Sequence, residues 1–234
     1  MTDLLFLALP IVRFTPIGGQ DVNKPLPYNP RDPVSQQIKT SFQRSLENLQ
    51  TTYIDSYLLH SPLRTLDLTI EAWRTLAALQ DEGKVRLIGI SNAYDIDVLH
   101  ALSRERKVQV VQNRWYEGNE WDRQVLNYCR EHDILYQYVT DGLLIYFCFD
   151  DNRSFWTLSG SPTLLSHPAL LAVAKAANRT PAQAVFKFVQ SEGIIPLSGT
   201  TSELHMKEDL SVERIEFSPD LEVHLNTIKG FVRG

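Results

Sequence analysis

Residues 83–92 read Gly-Lys-Val-Arg-Leu-Ile-Gly-Ile-Ser-Asn (GKVRLIGISN), and the reading of this decapeptide decides the fold. Val85 to Ile90 has the composition of a strand. Immediately before it, Leu66 to Asp81 carries Ile70, Trp73, Leu76, Ala77 and Leu79 on one side at helical spacing. Gly83 stands where a helix end wants a residue tolerant of positive φ. A helix therefore hands the chain to a strand through a short link, and the strand closes on the polar pair Ser91-Asn92.

The same unit recurs on both sides. Upstream, Val34 to Leu49 places Ile38, Phe42, Leu46 and Leu49 at helical spacing, with Asp32 as N-cap and Pro33 at the first helical position. Tyr53 to His60 (YIDSYLLH) reads as a strand. The Gly-, Pro- and Asn-rich stretch from Ile17 to Pro33 reads as a loop. Downstream, Ile96 to Leu102 is helical, Val108 to Gln112 a strand, Trp121 to His132 helical and Ile134 to Tyr138 a strand. After Ser166 come the helices His167 to Ala177 and Pro181 to Glu192, the strand Gly193 to Leu197, a short helix Ser202 to Leu210 and an acidic-rich tail. No two strands adjoin as a hairpin, so the strands are parallel with crossover helices. At this level a barrel and a doubly wound sheet both satisfy the pattern.

Composition narrows the function classes. With 234 residues, 43% apolar and 22% charged, the chain has the make-up of an ordinary globular protein. A formal charge of -5 leaves no basic footprint for nucleic acid or an anionic membrane. The two cysteines, Cys129 and Cys148, make neither a disulfide framework nor a metal knuckle, so no metal is expected and a reducing, cytoplasmic setting fits. Leu4 to Val12 is apolar but follows Asp3 and contains Pro10, which argues for a strand or a start-site artefact over a secretory signal. No run approaches the roughly 18 apolar residues of a membrane helix.

In parallel α/β folds the reactive groups sit at the carboxyl ends of strands. Here those ends are His60-Ser61-Pro62, Ser91-Asn92, Gln112-Asn113-Arg114-Trp115 and Gln137. A rim of imidazole, hydroxyl and amide groups without carboxylates suits an amide or a carbonyl ligand. Taken singly, each has a bland reading: a structural histidine, a turn or N-cap, a capping loop. Their common position at successive strand ends shifts the balance. His100, His132, His167 and His224 lie in or beside helices and read as solvated or capping residues.

Together these strand ends resemble the aldo-keto reductase family. Asp55-Ser56-Tyr57-Leu58-Leu59-His60-Ser61-Pro62 is similar to its catalytic-histidine strand, and residues 83–92 to the strand that binds the nicotinamide amide. Val111-Gln112-Asn113 is similar to the next strand, and Ile195-Pro196-Leu197-Ser198-Gly199-Thr200-Thr201 to the segment at the adenosine end of the cofactor. The resemblance runs from about Phe14 to the C-terminus as a single barrel domain. It implies a (β/α)8 TIM barrel that uses NADPH or NADH to reduce an aldehyde or ketone to an alcohol. In the family, a tyrosine acid tuned by a lysine that an aspartate holds protonates the alkoxide, and a histidine orients the carbonyl. Carried over residue by residue, His60 is the catalytic histidine. Ser91, Asn92, Gln112, Gln137 and Ser154 fall to the nicotinamide end, and Ser198, Gly199, Thr200, Thr201 and His205 to the other end of the cofactor. The hydroxyls and one histidine there, with Lys207 nearby, imply weak charge selection and dual or NAD-leaning use. The partner implied is a small carbonyl compound.

Two departures from the family pattern stand out. Before Phe14 there is no Asp-Tyr pair, and Arg13 stands where the family has its lysine. Residues 138–153 (YVTDGLLIYFCFDDNR) separate Gln137 from Ser154, which adjoin in the family pattern. Gln-Tyr-Val-Thr can be encoded as CAG TAT GTG ACG, which contains an intron donor, and Asn-Arg as AAT AGG, which contains an acceptor, so of an extra hairpin or lid and an unspliced short intron, this stretch reads as the intron. With it and the first dozen residues set aside, about six strands' worth of an eight-strand barrel remains. The sequence therefore predicts an incomplete barrel lacking its first two strands, with reduced activity, or alternatively a non-catalytic cofactor-binding barrel.

Overall fold

The computed structural model describes residues 11–21, 23–139, 161–197 and 202–234. The chain divides into two compact units. The first comprises Met1–Gln112 with Tyr128–Ile134, and the second Asn113–Asn127 with Leu135–Gly234.

In the first unit four strands, β1 (Ile11–Phe14), β2 (Ile54–Leu59), β3 (Val85–Ser91) and β4 (Val110–Asn113), pair in parallel in chain order. Helices α1 (Val34–Leu49), α2 (Leu66–Asp81) and α3 (Ile96–Glu105) make the crossovers. One register row joins Arg13, Leu58, Gly89 and Val110 across all four strands. Because strand side chains alternate between faces, Tyr57, Ile88, Ile90 and Val111 share one face, and Phe42 of α1 packs edge-on against Tyr57 with ring centroids 5.1 Å apart. Arg13, Leu58, Gly89, Val110 and Gln112 share the other. Gly89 keeps this second face thin. A Cβ there would lie 2.3 Å from Val110 O and 2.6 Å from Leu58 Cδ2.

The helix ends follow their sequence signals closely. Gly83 has φ +70°, and the amides of Gly83 and Lys84 turn back onto the carbonyls of Gln80 and Leu79 to close α2. Thr65 caps the other end of α2 by accepting from Leu68 N, and Asp95 caps α3 through Asp97 N. The start of α1 differs by one residue from the reading with Asp32 as cap. Its first helical bonds end on Pro33 O, so Pro33 is the N-cap residue, while Asp32 Oδ1 accepts from Asn29 Nδ2 at 3.0 Å.

In the second unit β5 (Leu135–Val139) and β6 (Ile195–Leu197) pair in parallel, with Gln137 opposite Ile195 and Tyr138 opposite Pro196. Its helices are α4 (Arg123–Glu131, whose C-terminal half belongs to the first unit), α5 (Pro162–Leu165), α6 (Pro168–Ala176), α7 (Pro181–Ser191), α8 (Glu203–Ser211) and α9 (Glu222–Arg233). Thr180 and Gln183 form a reciprocal capping box at the start of α7. His167 caps α6 by accepting from Ala169 N, as its place beside a helix implied.

Two elements depart from the sequence reading. The helix expected from Trp121 begins at Arg123. Glu120, Trp121 and Asp122 all take positive φ, of 52°, 61° and 46°. That backbone carries Trp121 onto Trp115, with centroids 4.5 Å apart, and turns Asp122 inward. The acidic-rich tail is the helix α9. Ile228 and Val232 bury its inner face, and Lys229 and Arg233 pair with Glu192 at 2.8 and 2.7 Å. Acidic residues ahead of it masked a helix that is anchored by the Glu192 carboxylate at the end of α7.

Among the described residues no helix is long and apolar enough to cross a membrane. Of residues 138–153, Tyr138 and Val139 complete β5 and the remainder lies outside the described residues.

Candidate active site

Three strand ends of the first unit build the site. His60 follows β2 directly, and its amide donates to Phe14 O at 2.9 Å, continuing the ladder one step beyond the strand. Its half-buried ring is backed by the short turn Ile17–Gly19. A Cβ on Gly19 would stand 3.2 Å from His60 Nδ1 and 2.8 Å from Thr15 Cγ2, so the missing side chain is what lets this turn close on the imidazole.

β3 supplies Ser91 and Asn92. Ser91 is buried, and Asn92 takes the left-handed conformation with φ 51°, which asparagine adopts more readily than most residues. This bend brings its side chain back across the rim, where Nδ2 donates to His60 O at 2.8 Å and approaches Ser91 Oγ at 3.3 Å. Its backbone N–H donates to Gln112 O at 3.1 Å. Asn92 thus ties β2 to β4 through β3.

β4 supplies Gln112, buried and facing the same side as Arg13. Arg13 Nη1 donates to Gln112 Oε1 at 3.0 Å. The expected site residues His60, Ser91, Asn92 and Gln112 are therefore brought together in one hydrogen-bonded set, and Arg13 joins it. Sequence reading treated Arg13 only as a substitute for a lysine. Its register with Leu58, two residues before His60, is the signal that would have placed it on the site face.

Gln137 lies in β5 of the second unit, buried. Ser154, Ser198, Gly199, Thr200 and Thr201 fall outside the described residues, and His205 lies within α8.

A second polar cluster, in the second unit, went unread. Asp122 Oδ2 accepts from Asn113 Nδ2 and from Tyr136 OH, each at 2.7 Å, in a buried position. Burial raises the Asp122 pKa to about 6, against the lowering pull of the two donors. Asn113 is thus an interior donor and not a loop cap. The alternation of strand side chains would have separated it from Gln112, since neighbours on a strand point to opposite faces.

The strand-end set has amide, hydroxyl and imidazole groups in a parallel α/β scaffold. A family model described as the Aldo/keto reductase family matches residues 27–222 of this chain. The chain belongs to the aldo/keto reductase family. It is 29% identical over 206 residues to aldo-keto reductase family 1 member C13 of Mus musculus, a match covering 78% of this chain and 61% of that protein. Prostaglandin F synthase 1 of Bos taurus is 27% identical with the same coverage. The uncharacterized oxidoreductase YtbE of Bacillus subtilis (strain 168) is 27% identical, covering 79% of this chain and 59% of that one. The chain thus spans about three fifths of the length of these curated relatives. Among solved structures, an aldo/keto reductase from Brucella melitensis aligns with a TM-score of 0.64 at 22% identity, covering 83% of this chain and 68% of that one. An aldo-keto reductase complexed with NADPH aligns with a TM-score of 0.64 at 17% identity, covering 84% and 60%. The aldo/keto reductase chain described here thereby has the (β/α)8 class of fold, six of whose parallel strands lie among the described residues.

Proposed function

We propose that this aldo/keto reductase chain binds a nicotinamide nucleotide at the ends of β2, β3 and β4 and takes the carbonyl group of an aldehyde or ketone beside His60. The observation that carries the reading is the hydrogen-bonded rim itself, in which Asn92 links His60 to Gln112. The residues fit the nicotinamide end in kind. Two primary amides and a serine hydroxyl offer both donors and acceptors to a carboxamide, and the turn at Gly19 backs the His60 ring. When bound, the reduced nucleotide supplies hydride.

In this reading Ser91, Asn92 and Gln112 hold the carboxamide, and His60 orients the carbonyl oxygen. Gln137 and Ser154 belong to the same end of the cofactor. Ser198, Gly199, Thr200, Thr201 and His205 belong to the adenosine end. Lys207 at that end is paired with Glu203 at 2.7 Å, which leaves little positive charge for a 2′-phosphate. NADPH and NADH therefore bind within about a hundredfold of one another, roughly 3 kcal/mol.

Turnover is slow in this reading. Arg13 stands where the resemblance places a lysine, a guanidinium keeps its proton, and here it is engaged by Gln112. The same contact favours the second reading, a barrel that binds nucleotide without chemistry. Residues 138–153 are read as an insertion in the family pattern, which transcript sequencing across Gln137 and Ser154 tests. Two cysteines, too few for a disulfide framework, support a reducing, cytoplasmic setting.

Titration of the chain with NADH and NADPH, followed by tryptophan fluorescence, tests the binding. Both are expected to quench saturably. An aldehyde added with NADH should turn over well below the ordinary enzymic range of about 1–1,000 per second. No saturable binding overturns the site assignment, whereas ordinary turnover overturns the slow-enzyme reading alone.

A further inference from the structure

Two histidines outside the strand ends are brought together from different helices. His100 lies on α3 and His132 directly follows α4, and their ring centroids stand 6.0 Å apart with the planes at 86°. Both residues are exposed. Between them lies the buried Tyr128, on whose ring His132 stacks at 4.1 Å while His100 meets it edge-on at 5.0 Å.

Tyr128 also occupies one nitrogen of each ring. A backbone carbonyl only accepts, so His132 Nδ1, 2.9 Å from Tyr128 O, carries the proton of the neutral imidazole and leaves Nε2 a bare lone pair. His100 turns its Nδ1 toward Tyr128 OH at 3.5 Å. That hydroxyl can accept from Nδ1, which leaves Nε2 of this ring bare as well. No hydrogen bond among the described residues takes either Nε2. Metal-ligating histidines are oriented in this way, with the second ring nitrogen donating to a carbonyl or another oxygen.

The geometry points to His100 and His132 as a two-nitrogen site for a divalent ion of the zinc, nickel and copper class, bound through the two Nε2 atoms. Imidazole nitrogens lie about 2.0–2.1 Å from zinc, which sets the centres of two rings on one ion roughly 5 Å apart at a tetrahedral angle and roughly 6.4 Å apart when they oppose. The 6.0 Å separation falls inside this range, so small rotations of two exposed side chains close the site. Among the described residues no third His, Cys, Asp or Glu joins them. Water therefore fills the other positions, and the ion exchanges freely, unlike one in a closed structural centre. Neutral imidazole suits zinc, nickel and copper, whereas magnesium and calcium take oxygen ligands. Bound there, the ion ties α3 to the end of α4 within the first unit. No strand-end residue takes part, so the site is independent of the nucleotide-binding reading.

The test titrates the whole chain with Zn²⁺ and separately with Mg²⁺, by calorimetry and by NMR of the histidine rings. Zn²⁺ should bind saturably and move the His100 and His132 resonances together, and Mg²⁺ should move neither. His100→Asn and His132→Asn should each weaken Zn²⁺ binding by at least the roughly tenfold that loss of a mere supporting group costs, and His224→Asn, on α9, should leave it unchanged. Melting curves of the ion-free variants report that they fold.

His100 and His132 resonances that stay in place while Zn²⁺ saturates the chain overturn the site, and so does either variant with wild-type affinity. Equal shifts with Mg²⁺ overturn the nitrogen ligand set. Where a variant melts early, the wild-type resonances alone decide.

Discussion

Asn113 Nδ2 lies 2.7 Å from Asp122 Oδ2, and the chain from Arg114 to Asp122 ends in three successive left-handed backbones. Tyr136 OH meets the same oxygen at 2.7 Å. Burial dominates here and raises the carboxyl to about 6, from an ordinary 3.8. A carboxyl whose folded pKa exceeds its unfolded value favours the fold in its protonated form. Its contribution is present in full below about pH 4 and is lost as pH rises to about 6, a change on the order of 3 kcal/mol. Asp122→Asn removes the titration and retains an acceptor for both donors and a side chain at ease in the left-handed region. The difference in urea stability between variant and wild type should therefore grow in the variant's favour from pH 4.5 to 7.5. A flat difference across that range contradicts the assignment.

Glu192 has the opposite sign. Burial pushes its pKa up, but the bonds from Lys229 and Arg233 together bring it below the ordinary 4.5. This contribution is present above the unfolded value and disappears as pH falls through the lowered one. Hydrogen exchange in α9 should quicken in acid before that in α7. Glu192→Gln should reproduce the loosening at neutral pH, at a cost of about 1–3 kcal/mol. Unchanged protection of α9 in the variant would show that apolar packing of Ile228 and Val232 holds the helix unaided.

Two glycines separate a packing requirement from a mere absence of side chain. Gly89→Ala brings a Cβ to 2.3 Å from a backbone oxygen, so a loss of about 3 kcal/mol or more is expected in urea denaturation. Gly230→Ala meets nothing within 4 Å inside α9 and should stabilise by roughly 0.5–1 kcal/mol. Equal effects at the two positions would mean that the β3–β4 contact yields more readily than its backbone suggests.

At Gly19 the expected effect is local. Gly19→Ala presses on His60 Nδ1 at 3.2 Å and on Thr15 Cγ2 at 2.8 Å, so the imidazole should turn. The His60 ring resonances should move in NMR spectra while those of His100 and His132, which pack against Tyr128, stay in place. Identical His60 resonances would show that the turn gives way instead.

Much of this was legible because local chemistry and tertiary structure agree. Gly83 ends a helix for reasons contained in its own backbone, and Ser91-Asn92 marks a strand end because polar residues there do not continue a buried ladder. The contact between Arg13 and Gln112 was not legible, since it joins residues 99 positions apart and depends on the register of four strands. Asp122 was misread as part of a helix, because nothing in its neighbourhood announces that Asn113 and Tyr136 will converge on it. The helix α9 was missed for a similar reason, as the carboxylate that anchors it, Glu192, lies 37 residues before Lys229.

In the proposed reading Asn92 is a ligand-facing amide, and in the fold it is the clasp between His60 O, through its side chain, and Gln112 O, through its backbone. An alanine scan would score its loss as affinity alone, although the side-chain bond to His60 O vanishes with the contact while the backbone bond to Gln112 O stays. Aspartate is the more telling replacement: it keeps the outward acceptor and puts an oxygen against His60 O, so it spares the ligand's bond while springing the rim. Between these two variants, recognition and scaffolding at this one residue can be weighed separately.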